Sequence, residues 1–227
     1  VINMKLYLFS GSGFSWRVQL ACAIKDIDYE PVFLEPTQKS LKSDTFLALN
    51  PRGKVPVLED EGFVISESMA AIAYLDRKHP AKTLFGQTAE EAGEIWRIIF
   101  DFDLYVSANF VNNIIVPVLS GQFDSEEHKL QQSTEHAHDE IAKIEANLNQ
   151  KNWFVGKTIS AADIAIYPLL EALIRFASKP AVAHLNLGFD NFNNTYPNLC
   201  AWRKGIQQSS NYDRTYPDYW RQLDQDQ

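Results

Sequence analysis

At Pro80 the hydrophobic pattern of the chain changes period, and that change restricts the fold more than any other feature. Upstream, short apolar runs alternate with helical stripes; downstream, every strong signal is helical. Met4 to Phe9 is an apolar run of strand length, broken by Gly11 and Gly13. Trp16, Leu20, Ala23, Ile24 and Ile27 then recur at helical spacing, and Tyr29 to Leu34 reads as a second strand, so the chain opens as a βαβ unit. A polar stretch with Lys39, Lys42 and Asp44 leads to Asn50-Pro51. Val55-Pro56-Val57-Leu58-Glu59 and Phe63-Val64-Ile65 are two short strands joined by the hairpin chemistry of Asp60-Glu61-Gly62. Ser68 starts a helix with Ala71, Ile72 and Leu75 on one stripe, which His79-Pro80 ends. Residues 1–81 are therefore expected to form one α/β domain of order βαβ-ββα.

Lys82 to Gln87 reads as a linker, and residues 88–227 as an all-helical domain, a helical bundle. Thr88 and Glu91 have capping-box spacing. Ile95, Ile98, Ile99, Phe102, Val106 and Phe110 form one face of a helix that should run to near Pro117. Asp124 and Glu127 suggest the next cap, and Leu130, Thr134, Ala137, Ile141, Ile144 and Leu148 keep helical spacing behind it. A further helix starts at Ser160 with Pro168 inside, where a kink is expected. Leu185 to Tyr196 reads as a loop. A last helix begins near Pro197 with Leu199 and Trp202, and the tail after Ser209 is polar with scattered aromatics. The fold class is thus α/β plus all-α.

The 227 residues suit one large domain or two ordinary ones, and 14 Phe, 9 Tyr and 5 Trp supply ample core. A net charge of −8 without a basic stripe argues against nucleic acid as a partner. Cys22 and Cys200 have neither CxxC nor metal-ligand spacing, so they read as reduced core thiols of a cytoplasmic protein. His79, His128, His136, His138 and His184 make no metal set, and no metal is expected; His136 and His138, two apart, point to different sides of a helix. No stretch is long and apolar enough to span a membrane, and no membrane partner is expected. Val1-Ile2-Asn3 has neither the basic nor the apolar region of a signal peptide, and Met4 looks like the natural start.

Three segments carry chemistry. Ser10-Gly11-Ser12-Gly13-Phe14-Ser15 joins the first strand to the first helix, where hydroxyls sit beside free backbone N–H groups and the positive end of a helix dipole. That environment stabilises an anion, including a thiolate; equally, the serines can simply cap the helix, with Ser15 as N-cap. Val55-Pro56 joins a loop to a strand. A cis bond there turns the Val55 backbone toward an extended ligand, whereas a trans proline merely opens an edge strand. Ser66-Glu67-Ser68 lies at a helix start, where Ser68 and free N–H groups suit a carboxylate and Glu67 suits an ammonium; capping plus a dipole-favoured acid is the plainer account.

In order along the chain, these pieces resemble the cytosolic glutathione transferase superfamily, in its serine-type, bacterial, theta- and zeta-like members. The resemblance is carried by Ser12-Gly13-Phe14-Ser15-Trp16-Arg17-Val18, by Asn50-Pro51-Arg52-Gly53-Lys54-Val55-Pro56-Val57-Leu58, by Ser66-Glu67-Ser68 with Ala71-Ile72 and Tyr74-Leu75, and by Phe154-Val155-Gly156 followed by Ser160-Ala161-Ala162-Asp163-Ile164-Ala165. It covers nearly the whole chain. It implies a thioredoxin-like first domain, a homodimer, and glutathione as co-substrate with a small hydrophobic electrophile as second partner. Ser12 then matches the serine that donates to the glutathione sulfur, with Ser10 and Ser15 as close rivals. Val55, next to cis-Pro56, pairs with the cysteinyl part; Glu67 and Ser68 hold the γ-glutamyl amine and carboxylate; Lys54, and after it Lys42, face the glycine carboxylate. The electrophile site is expected between the domains, lined by Phe14, Tyr105, Asn109, Phe110 and Asn113, although Tyr105 and Phe110 also suit a core or a dimer interface. Ser160 and Asp163 match the family's structural capping box.

The chain departs from several classes. Residues 10–16 contain no cysteine and no tyrosine, and Tyr7 falls inside the strand. Ser15-Trp16-Arg17-Val18 is similar to the zeta class of isomerases, but that class has Ser-Ser-Cys where Ser12-Gly13-Phe14 stands here. The expected activity is therefore a glutathione transferase whose thiolate attacks electrophilic carbon, with peroxides as further substrates. A glutathione-dependent isomerase and a non-catalytic ligand-binding protein are the alternatives.

Overall fold

The computed structural model describes residues 3–119 and 127–225. They fall into two compact units, Val1–Leu84 with Gln207–Gln227, and Phe85–Ile206. In the first unit, β1 (Met4–Leu8) buries Met4, Leu6 and Leu8 by simple alternation. It lies beside β2 (Glu30–Phe33) in parallel and β3 (Val57–Asp60) in antiparallel, and β4 (Phe63–Ser66) completes a sheet of order β2-β1-β3-β4. Helices α1 (Gly13–Lys25) and α4 (Ser68–Lys78) pack on each other. The buried Lys25 ammonium ties their ends together, donating to Asp76 Oδ1 at 2.7 Å and to the carbonyls of Ala81 and Lys82. The polar stretch after β2 forms two short helices that its pattern did not announce, α2 (Gln38–Leu41) and α3 (Asp44–Leu49). Four and six residues are too few to display a helical period.

Residues 207–227 cluster with this first unit and not with the helices that precede them. Tyr212, Tyr216 and Trp220 recur at every fourth position, so even a polar tail carries one aromatic stripe. All three rings surround the buried Trp16, with centroids 6.2, 5.8 and 5.3 Å away.

The second unit begins with α5 (Ala89–Asp101), capped by Thr88, whose side chain accepts from Glu91 N–H, while the Glu91 carboxylate accepts from Gln87 N–H. The helical run continues through a π-helical turn (Phe102–Ser107), α6 (Ala108–Phe110), a second π-helical turn (Val111–Ile115) and α7 (Val116–Leu119). The winding follows from the sequence. Ile98, Phe102, Val106, Phe110 and Ile114 are all buried and are spaced by four. On a regular α-helix such a row drifts by about 40° per turn, and wider π turns keep it facing the core. The proposed cap at Asp124 lies outside the described residues. Helix α8 (Glu127–Asn147) and helix α9 (Ala161–Ala177) follow, and α9 runs on through Pro168. A 3-10 helix (Pro180–Leu185) ends where the segment read as a loop from 185 begins, and that segment contains the short α10 (Phe192–Thr195) before α11 (Pro197–Gln207).

Asp163, fully buried, organises this unit. Its Oδ2 accepts from the Ser160 N–H at 2.8 Å and the Ser160 hydroxyl at 2.7 Å; its Oδ1 accepts from Phe154 N–H at 3.2 Å and from Trp202 Nε1 at 2.8 Å. Burial pushes its carboxyl up, and these donors pull against that rise.

Candidate active site

The ladder register decides what lies together. Tyr7 pairs with Val57, and Val57 with Ser66, so the end of β1, the start of β3 and the end of β4 share one end of the sheet. The loop from Ser10 to Ser12, the Val55–Pro56 bond and the Glu67–Ser68 pair are all emitted there. The Val55–Pro56 bond is cis, and neither the N–H nor the C=O of Val55 has a partner among the described residues.

The three serines of the first loop have different surroundings. Ser12 is the N-cap of α1, and its Oγ accepts from Ser15 N–H at 3.3 Å, which leaves its own proton to donate. The N–H groups of Gly13 and Phe14 have no acceptor among the described residues, and no acid occupies the first turn. Ser10 Oγ accepts from the Tyr219 N–H at 3.0 Å. Ser15, read from the sequence as the N-cap, lies inside the helix three residues later; it is fully buried and its hydroxyl has no partner among the described residues. Tyr7 is committed elsewhere. Burial first, then its 2.7 Å hydrogen bond to Glu59, push its phenol up to about 12.

Glu67 precedes α4 at φ +69°, a conformation that costs a non-glycine residue about 1–3 kcal/mol and clusters at ligand sites. Its exposed carboxylate makes no hydrogen bond among the described residues. Ser68 is buried beside it, and Arg17 Nη1 reaches its Oγ at 3.5 Å. Lys54 and Lys42 are both exposed; Lys42 Nζ donates to the Arg52 carbonyl at 3.1 Å. Gly53 makes that approach feasible, because at its φ of +60° a Cβ would lie 2.6 Å from the Leu41 carbonyl and 2.8 Å from Lys42 Nζ.

The residues expected to line an electrophile site divide. Phe14 is partly exposed, with the Arg17 guanidinium 5.1 Å from its ring centre. Tyr105 is exposed at the mouth of a cavity of about 400 Å³ floored by Ile98, Phe102, Val106, Ile144 and Phe154. Asn113 is exposed and donates to Asn109 Oδ1 at 2.9 Å, while Asn109 Nδ2 donates to the Ser133 carbonyl of α8 at 2.8 Å. Phe110 is the correction: it has no exposed surface and belongs to the row of core side chains, so it presents nothing to a ligand.

Two contributors escaped sequence reasoning. Arg17 is almost wholly buried, and the signal was a cation inside the apolar stripe of a helix. Asn50 braces the loop before Val55: its Nδ2 donates to the Lys54 carbonyl at 2.7 Å and its Oδ1 accepts from Arg52 N–H at 3.1 Å. An Asx turn ahead of Pro51 was the available hint. Among the described residues, no group of His, Cys, Asp or Glu is arranged to hold a metal ion, and no helix is long and apolar enough to cross a membrane.

A β2-β1-β3-β4 sheet with a cis-proline at the end that also carries the start of α1 defines a thioredoxin-like domain, and a helical unit accompanies it. Residues 3–77 match the glutathione S-transferase N-terminal domain, and residues 108–209 match the glutathione S-transferase C-terminal domain. The chain belongs to the cytosolic glutathione transferase superfamily of enzymes. It is 32% identical over 181 residues to a maleylacetoacetate isomerase of Pseudomonas aeruginosa, covering 76% of this chain and 82% of that one. To glutathione S-transferase 1 of Dianthus caryophyllus it is 29% identical over 182 residues, 76% of this chain and 78% of the relative. The crystal structure of a glutathione S-transferase from the Antarctic clam Laternula elliptica superposes with a TM-score of 0.78 at 26% identity, covering 96% of this chain and 94% of the other.

Proposed function

We propose that the chain binds glutathione at the shared end of its sheet and activates the thiol for attack on small hydrophobic electrophiles, with peroxides as further substrates. The observation that carries this reading is the register Tyr7–Val57–Ser66, which gathers Ser12, Val55 and Glu67–Ser68. An extended tripeptide laid across that end pairs its cysteinyl backbone with Val55. Its γ-glutamyl carboxylate meets Ser68 and the first turn of α4, its amine meets Glu67, and its glycine carboxylate meets Lys54 and Lys42. The sulfur then lies at the start of α1. A free thiol has a pKa of about 8.5 and is mostly protonated at neutral pH. The Ser12 proton, the Gly13 and Phe14 N–H groups and the α1 dipole all favour the thiolate, which is the attacking species. Phe14, exposed in the first turn of α1, is the side chain of the first unit offered to the electrophile.

The exposed Phe100 and Leu104, with the stacked Phe85–Trp96–Phe100 rings, support a homodimer, which light scattering tests. A cytoplasmic detoxification role fits this chemistry. Calorimetry with glutathione and a conjugation assay over a panel of electrophiles test the main reading; no binding at millimolar ligand overturns it.

A second reading has one specific support, the 32% identity to the Pseudomonas isomerase. Both reactions begin with the same thiolate adding to an activated carbon. In isomerisation the adduct rotates about the former double bond and then expels the thiolate. Glutathione consumption separates the two: with maleylacetoacetate, a transferase consumes thiol in proportion to product, whereas an isomerase regenerates it.

A further inference from the structure

The tail that returns to the first unit contacts the Ser12 loop on both sides. Before Ser12, the Tyr219 N–H donates to Ser10 Oγ at 3.0 Å, and the Trp220 indole lies against Gly11. A Cβ built on Gly11 would be 3.0 Å from Trp220 Nε1 and 3.5 Å from Tyr219 Cδ1, so this glycine, at φ +87°, is what lets helix α12 (Asp218–Gln225) rest on the loop backbone. After Ser12, Trp16 Nε1 donates to Thr215 Oγ1 at 2.9 Å, and its ring meets Trp220 edge-on at 5.3 Å. One side chain, Trp220, therefore touches both flanks of the serine.

We propose that Tyr219 and Trp220 are positioning residues for the Ser12 loop, fixing the hydroxyl and the Gly13 and Phe14 N–H groups where the glutathione sulfur is held. The proposal rests on the assignment of Ser12 to the thiolate. The loop needs such support. Ser12 N–H bonds the Phe9 carbonyl at a long 3.3 Å, and Gly11 adds backbone freedom. A hydrogen-bond donor displaced by a fraction of an ångström stabilises a thiolate poorly, and misplacement by about 1 Å can cost about a hundredfold in rate. The tail is also anchored independently of these two residues: Asn211 Nδ2 donates to Asp26 Oδ1 at 2.8 Å, Arg214 pairs with Asp28 at 3.1 Å, and Tyr212 packs on Trp16. Removing Trp220 hence loosens the clamp without releasing the segment.

The test compares the unmodified protein with Trp220→Ala, Trp220→Phe and Arg214→Ala. Four quantities are measured: the ultraviolet titration of the bound glutathione thiolate, glutathione affinity by calorimetry, conjugation kinetics, and amide exchange of residues 10–13. Trp220→Ala is expected to raise the pKa of the bound thiol, to lower kcat on the order of tenfold near neutral pH, and to speed exchange at Ser12, whose N–H bonds the Phe9 carbonyl, with glutathione affinity unchanged. Trp220→Phe restores most of each change, because the ring still covers Gly11, and Arg214→Ala changes none of them. If Trp220→Ala melts below the assay temperature, a chain ending at Pro217, which keeps Tyr212 and Tyr216 on Trp16, is put through the same measurements. An unshifted thiolate titration with unchanged exchange at residues 10–13 overturns the proposal. If the unmodified protein binds no glutathione, the functional reading fails instead, and amide exchange still decides whether the tail clamps the loop.

Discussion

Helices α1 and α9 begin with the same residue type and put it to opposite use. Each has a serine N-cap, Ser12 and Ser160. Three residues on, α9 has Asp163 and α1 has Ser15. At α9 the carboxylate collects the Ser160 N–H and hydroxyl, the Phe154 N–H and the Trp202 indole, and the assembly is sealed from solvent. At α1 no acid is present, so the Gly13 and Phe14 N–H groups and the Ser12 proton stay available at a partly exposed position. A helix start that supplies its own anion is a structural joint; one that lacks it has N–H groups left for an anion from elsewhere. Ser15 in place of an acid puts α1 in the second state.

The strongest way to break this contrast is Asp163→Ala. It leaves the Phe154 N–H, the Ser160 N–H and the Trp202 indole buried without acceptors, at about 1–3 kcal/mol each. The expected loss is at least about 3 kcal/mol, or on the order of 10 °C in melting temperature for a chain of this size. Calorimetric melting reads it, and the molecules still folded should keep their thiolate titration. An unchanged melting temperature would mean that the joint is not where the helical unit is held.

Ser12→Ala is the matching change at the other start, and its effect falls on rate. A hydrogen bond to a charged group is worth about 1.5–3 kcal/mol, so conjugation near neutral pH should drop on the order of ten- to a hundredfold, with the bound-thiol pKa raised. Glutathione affinity should stay nearly intact, because Val55, Glu67 and Ser68 are untouched. Loss of the cap lowers stability by about 0.5–2 kcal/mol, less than at Asp163. A titration that does not move transfers the thiolate to a neighbouring hydroxyl or to the backbone N–H groups.

Much of this contrast was readable from residues alone, and the parts that were not share a cause. Asn50-Pro51 through Leu58, Glu67-Ser68 and Ser160 to Asp163 are local patterns whose chemistry lies within a few positions. The capping box and the starts of α4 and α9 could therefore be placed directly, whereas the start of α1 was set three residues late, at Ser15. Which serine faces outward could not be read, because the burial of Ser15 depends on packing around α1. The return of the tail was also hidden: Trp16 and Thr215 are 199 positions apart, and no local period reports such a contact. The four-residue spacing from Ile98 to Ile114 was visible, yet only the structure shows that it widens the helix into π turns rather than rotating off the core.

Acid titration sharpens the comparison by separating two kinds of carboxylate. Asp60, on β3, is opposed by burial, but Lys78 at 2.6 Å and Tyr74 at 2.9 Å donate to it and hold its carboxyl below the ordinary range. Its folded pKa is below its unfolded one, so its contribution is complete above the unfolded value of about 3.9 and is lost as pH falls through the folded value. Asp163 is raised, so the folded state takes up its proton more readily, and lowering the pH through that range does not weaken folding through this group. The stability gap between the unmodified protein and Asp60→Asn, followed by denaturant unfolding, should therefore close below about pH 4. A gap that stays constant to lower pH overturns the assignment of the Asp60 shift.

The smallest effect is expected at Ser15, and for that reason it is the most discriminating. Its hydroxyl is buried without a partner among the described residues, and the residue lies inside α1, where alanine is the better helix former by about 0.5 kcal/mol. Ser15→Ala should leave stability unchanged or slightly raised, because removing an unsatisfied buried hydroxyl relieves a penalty and the missing methyl-sized volume is only that of one oxygen. The backbone N–H that Ser12 Oγ accepts is retained, so the cap survives and the bound-thiol titration should not move. Conjugation kinetics and the ultraviolet titration, measured beside Ser12→Ala, read the difference between the two positions. If Ser15→Ala raises the thiol pKa while Ser12→Ala does not, the sulfur is held from inside the helix, and the distinction between an open and a sealed helix start fails at its open end.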